Sequence, residues 1–200
     1  MAWSTNWIYC WNRDWDMAIN TCMNGCVHVE ISDYMLQFAQ EEEEKIRQQK
    51  GKDNWSTRPL SSRRDILGSL SQNAILDVFQ MFGMDGGLSM TPYFSQDIHS
   101  DEWDFSYRGE TYDVKSSPMR KFKYITHKTT FLVSDHQQMK YVGQYCFAQV
   151  DFDNRVIHYP GVISYERFWQ ESVPAVGDWV KSPAHIITAG KLTPIERIMA

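Results

Sequence analysis

WDFSYRGETYDVKSS, residues 103–117, alternates apolar and polar side chains on both sides of an Arg-Gly pair. A period of two marks strands, and a two-residue connection containing glycine marks a tight hairpin. With Arg108-Gly109 as the turn, Tyr107 faces Glu110, Phe105 faces Tyr112 and Asp104 faces Asp113. One side of the hairpin then carries Asp104, Ser106, Thr111, Asp113 and Lys115. The other carries Trp103, Phe105, Tyr107, Tyr112 and Val114, with Glu110 the exception near the turn. The aromatic side belongs against a core. The polar side sets two carboxylates across a ladder, roughly 5 Å apart at Cβ, where like charges repel. A divalent cation turns that repulsion into attraction and uses both groups as hard oxygen ligands. Lys115 sits one step along the same side, where its ammonium would orient water or neutralise a phosphate oxygen. A solvated face on which Lys115 only balances charge is the plainer alternative.

Upstream, Leu67, Leu70, Ala74, Val78 and Phe82 recur at three- and four-residue steps, with Ile66, Ile75 and Phe79 widening the stripe. This predicts a buried helix over about 62–82, stopped at Gly83. Its polar members Gln72, Asn73 and Asp77 need partners there. Residues 33–50, DYMLQFAQEEEEKIRQQK, predict a second helix, with Ser32 or Asp33 as cap and acid before base along its length. The run Glu41–Glu44 reads as a solubilising surface. KGKDNWSTRPLSS, residues 50–62, has the content of a connection, and residues 83–102 read as loop. Downstream, strands are expected at 129–134, 141–152 and 155–161, a short helix near ISYERFWQES, and a last strand at AHIITAG. Residues 1–30 have weak periodicity. The expected fold is α/β (α+β), a mixed central β-sheet flanked by helices. The expected division is an N-terminal elaboration over 1–60, carrying the 33–50 helix, and a core with C-terminal extension over 61–200.

An acidic residue on one strand, a short hairpin, then acid-x-Lys on the next resembles the PD-(D/E)xK nucleases, which include restriction, phage and repair enzymes. Here the motif is Asp104 and Asp113-Val114-Lys115, and Trp103 stands where the family name has proline. The resemblance covers at most residues 62–161. It implies a restriction-endonuclease-like core: a preceding helix, a mixed sheet and a second helix. It implies Mg²⁺-dependent hydrolysis of DNA, with Mn²⁺ as substitute, endonucleolytic and on double strands. Asp104, Asp113 and the Val114 carbonyl would hold the metal, and Lys115 would act on the attacking water and the transition state. Members commonly add a carboxylate from the preceding helix. Gln72 aligns there, with Asp77 as the charged alternative one turn on. The rival is a domain that keeps the fold but binds nucleic acid or protein without cutting.

The net charge of −5 argues against broad adhesion to nucleic acid, yet Tyr107–Lys128 holds six basic residues against two acidic ones. A local basic face is compatible with an acidic whole. Arg120, Lys121 and Lys123, just past the motif, are the better phosphate contacts; Arg63 and Arg64, before the buried helix, are the weaker. His99, His127 and His136 flank the motif and read as surface or hydrogen-bonding residues. Cys10, Cys22, Cys26 and His28 are donors suited to structural zinc, though not at the usual paired spacing. Four cysteines in 200 residues make no disulfide scaffold, and no apolar run reaches membrane-spanning length. The chain therefore reads as intracellular and cytoplasmic, with no membrane partner; a homodimer is compatible with it. There is no Walker phosphate loop, G-x-G-x-x-G, H-E-x-x-H or G-x-S-x-G.

Overall fold

The computed structural model describes residues 7–10, 17–21, 26–50, 63–81, 88–90, 103–119, 125–178, 180 and 182–199. In chain order the strands are β1 (Trp7–Cys10), β2 (Met17–Thr21) and β3 (Val27–Glu30), followed by helices α1 (Asp33–Lys50) and α2 (Arg64–Met81). Then come β4 (Leu88–Met90), β5 (Phe105–Tyr107), β6 (Glu110–Pro118) and β7 (Thr130–Ser134). The chain closes with β8 (Gln144–Asp151), β9 (Val156–Ser164), α3 (Tyr165–Glu171), β10 (Val173–Pro174), β11 (Ala184–Thr188) and α4 (Glu196–Met199). Eight strands form one sheet in the order β1-β2-β3-β9-β8-β6-β5-β4, and β10-β11-β7 form a second. Only β6 and β8 run parallel, so the main sheet is mixed. The mixed sheet flanked by helices is the expected class. Among the described residues, no helix is long and apolar enough to cross a membrane.

The turn chemistry is what the sequence asks for. Arg108 and Gly109 both have positive φ, 50° and 85°, the conformation of a two-residue hairpin that matches strand twist. The pairs Phe105–Tyr112, Ser106–Thr111 and Tyr107–Glu110 follow. Phe105, Tyr107, Tyr112 and Val114 enter a core with Val27, Val29, Cys146, Ile157 and Tyr159, covered by α1 and α2. Burial, and then the charges of Cys146, Glu110 and Tyr107, push the Tyr112 phenol up to about 12. A second core on the opposite face joins Tyr145, Phe147 and Ile163 to Phe131, Val133, Phe168 and Ile187 from β7, α3 and β11.

Trp103 departs from expectation: it packs against this second core, not with the aromatic side of the hairpin. The Asp104 N–H donates to the Tyr112 carbonyl at 2.8 Å, although Tyr112 is already the partner of Phe105. Two residues thus answer to one, as in a β-bulge, and the alternation before Phe105 slips by one. β4 lies within the stretch read as loop, pairing Ser89 with Ser106. Three residues are too few to display a period. The connection from β6 to β8 carries β7 and a 3-10 turn at Asp135–Met139 among its described residues.

The cap of α1 is Ser32, whose hydroxyl accepts the Met35 N–H at 3.1 Å. The glutamate run is not uniformly a solvent surface. Glu42 and Glu43 are 6% and 5% exposed, because a 3.6-residue period turns two of four consecutive side chains toward α2. Glu43 holds Arg63 through a two-point ion pair, and Glu42 accepts the Ser69 hydroxyl. Burial raises the Glu42 pKa above the usual carboxylate value, partly opposed by Ser69, Lys45 and Asn73. The folded state therefore binds the Glu42 proton more tightly than the unfolded chain, whose carboxyl titrates near ~4.3. Its stabilising contribution is present below that value and is lost as pH rises through the folded one. Glu42→Gln should accordingly be more stable than the parent at neutral pH. The gap should close on acidification to about pH 4, measured as urea midpoints across that range.

Candidate metal centre

β6 presents Asp113 and Lys115 to one face of the sheet and buries Tyr112 and Val114 on the other. The Lys115 ammonium lies 2.5 Å from Asp113 Oδ2 and 3.2 Å from Gln137 Oε1, the latter from the 3-10 turn after β7. It also stands 5.9 Å above the Tyr145 ring centre, Tyr145 being the β8 partner of Asp113. Both members of the ion pair are largely shielded, at 21% exposure for the lysine side chain and 13% for the aspartate.

Asp104 precedes β5 and is anchored through the bulge. One carboxylate oxygen accepts the Val114 N–H at 2.6 Å, so the side chain takes a donor that a strand carbonyl would otherwise hold. Gln72 of α2, 5% exposed, donates its amide to the Asp104 carbonyl at 3.4 Å. The helix thus meets the hairpin at the acidic residue through Gln72. Asp77 instead lies toward β9, where burial, Cys146 and the Asp77 charge raise the Tyr159 phenol. Asn73 donates to the Ser69 carbonyl at 2.9 Å, a partner within its own helix.

Cys146 pairs with Val114 across β8 and β6, and its thiol is pushed up by burial, then by Asp104, then by Asp113. The repulsion expected between the two aspartates is met by protein groups, the Val114 N–H at one and the Lys115 ammonium at the other. Among the described residues, no three or more His, Cys, Asp or Glu side chains are grouped to hold a metal ion. Asp104, Asp113, the Val114 carbonyl and the Gln72 side-chain carbonyl are all oxygen donors by type. That chemistry fits Mg²⁺, which takes one or two protein carboxylates and keeps several waters.

The basic residues divide. Arg63 is committed to Glu43, whereas Arg64 is exposed at the start of α2. Arg120, Lys121 and Lys123 lie outside the described residues, as do His99, Cys22 and the side chain of Cys10. Cys26 is buried, its Sγ 3.9 Å from the Val27 carbonyl oxygen. His28 faces His158 directly across β3 and β9, their Nδ1 atoms 2.5 Å apart. Gln137 and Tyr145 are neighbours of Lys115 that sequence reasoning did not bring to it. Gln137 and His136 sit in DHQQM, a polar string with no period, and no local signal links it to a lysine 22 residues away. Comparison with protein-family models, with characterised proteins and with solved structures gave no match to this chain.

Proposed function

We propose that the chain is a Mg²⁺-dependent DNA endonuclease built on a restriction-endonuclease-like variant of the mixed sheet. The observation that carries this reading is the juxtaposition at the hairpin: Asp104 on the Val114 N–H, and Asp113 against the Lys115 ammonium one step along the same strand. Asp104, Asp113 and the Val114 carbonyl would hold the metal. When bound, Mg²⁺ supplies a more acidic water and neutralises charge at the scissile phosphate. Gln72 fixes the backbone of Asp104 and so the direction of its carboxylate. Asp113 and Tyr145 hold the lysine head within reach of the same face. There Lys115 donates to charge that grows on phosphate oxygens, where a fixed donor is most effective. Arg64 and the basic segment 120–123 would contact phosphates, which give affinity without sequence choice. Double-stranded DNA is the substrate proposed.

The test is supercoiled plasmid incubated with the full chain and Mg²⁺ or Mn²⁺, beside an EDTA control. Nicked or linear product that EDTA abolishes is expected. The absence of any metal-dependent product with either ion overturns the reading. One observation favours a second reading: Gln72 occupies the helix position at which the resembled family commonly carries a carboxylate. Retention of DNA in a mobility shift with no product would assign the chain to binding without cleavage.

A further inference from the structure

We propose that Gln137 is the positioning residue for Lys115, and that His136 sets which end of the Gln137 amide faces the lysine. This rests on the phosphodiester-cleavage reading of the same site. Gln137 Oε1 lies 3.2 Å from the Lys115 ammonium, and Gln137 Nε2 lies 2.8 Å from His136 Nε2. His136 Nδ1 is 2.8 Å from the Ser134 hydroxyl, which reaches the Pro183 carbonyl at 3.3 Å.

Donor and acceptor chemistry allows one polarity through this chain. A lysine ammonium only donates, so the Gln137 oxygen must face it. The amide NH₂ then points at His136 Nε2, which must accept. The imidazole is therefore neutral, with its proton on Nδ1, and that N–H donates to Ser134 Oγ. The hydroxyl in turn donates to the Pro183 carbonyl. Every link is satisfied, and the far end of the chain is the ammonium that pairs with Asp113.

A proton added to His136 breaks the order. Nε2 becomes a donor and meets the amide NH₂, so the amide must turn over to accept it. The turned amide presents NH₂ to Lys115, donor against donor, and the lysine loses one of its two oxygen partners. His136 is exposed and the lysine is largely shielded, so a surface proton is read at the site through one amide. The other charged groups on this side are Asp135, held by His185 of β11 at 2.9 Å, Asp113 on β6, and Glu166 of α3, which accepts the Tyr141 hydroxyl at 3.1 Å. His185→Asn, at the contact of a second histidine with Asp135, serves as the control.

Two measurements on the full chain test the proposal. In ¹H–¹⁵N spectra, the Gln137 side-chain amide signals, assigned by their loss in Gln137→Leu, should move when the solution is acidified enough to protonate histidine. The movement should vanish in His136→Ala and persist in His185→Asn. In plasmid cleavage, Gln137→Leu should lower turnover about tenfold or more, the effect of removing a charge-assisted hydrogen bond, with KM little changed. Gln137→Glu, which still accepts from the lysine, should restore most of it. His136→Ala should cut faster than the parent at acid pH and no faster at alkaline pH, so that the ratio of the two rates changes with pH. Gln137 signals that stay still in the parent, or rate profiles in constant ratio, overturn the proposal. If the parent cuts no plasmid, the nuclease reading fails, while the amide titration still decides the relay by itself.

Discussion

On the proposed nuclease reading, Lys115→Ala is expected to lower metal-dependent plasmid cleavage by at least about a hundredfold, because it would remove a fixed donor to charge that develops in the transition state. Asp113→Asn should fall at least as far, since on the same reading it would also remove a hard ligand for the cation. Both variants should keep the parent's circular dichroism spectrum. Lys115 and Asp113 lie on the face of β6 opposite Tyr112 and Val114, so neither replacement touches the core beneath α2. Lys115→Arg should not rescue. A planar guanidinium on a longer stem cannot occupy the point between Asp113 Oδ2 and Gln137 Oε1 that the ammonium fills. Single-turnover rates with saturating Mg²⁺ are the measurement. Wild-type rates in Lys115→Ala would remove the lysine from the chemistry.

Phe79→Ala should cost about 3–5 kcal/mol of stability, the range for deleting a buried phenyl ring. Phe79 is fully buried on α2 and meets Phe105, Tyr107 and Tyr112 edge-on, at ring distances of 5.3, 5.4 and 5.8 Å. Phe105 and Tyr112 are themselves stacked at 4.7 Å. One side chain therefore holds the reverse of the hairpin whose front carries Asp113 and Lys115. Chemical denaturation gives the free energy. Phe79→Leu, which refills part of the space, should recover a large share of it. A loss below about 1 kcal/mol in Phe79→Ala would mean that the helix and hairpin are joined elsewhere, since a filled cavity site cannot yield so little.

The parts of this protein legible in its sequence are those whose causes are local. Arg108-Gly109 sets the hairpin register because two positive φ values admit few residue pairs, and the pairing from Phe105–Tyr112 to Tyr107–Glu110 follows from loop length. The span 33–50 is readable because Ser32 caps it and acidic residues precede basic ones at helical spacings. What escapes is what depends on distant chain. The bulge at Asp104 answers to an interaction with Val114 that alternation does not encode. Glu42 and Glu43 look like solvent residues until α2 supplies Ser69 and Arg63. Gln137 reaches Lys115 only once the β6–β8 crossover has folded back on the sheet. The N-terminal strands show little period of their own: β1 pairs with β2, β2 with β3, and β3 joins the rest of the sheet by pairing with β9.

That last pairing has a consequence for how the protein is born. β3 leaves the ribosome early, yet its partner strand follows 130 residues later, the separation of His28 from His158. At elongation rates of about 5–20 residues per second, that is roughly 7–26 s of waiting. During the interval the strand's backbone donors and acceptors are open to any neighbouring nascent chain. Premature association between copies on the same messenger is therefore concentrated in that window, and it ends when β9 arrives to occupy the edge.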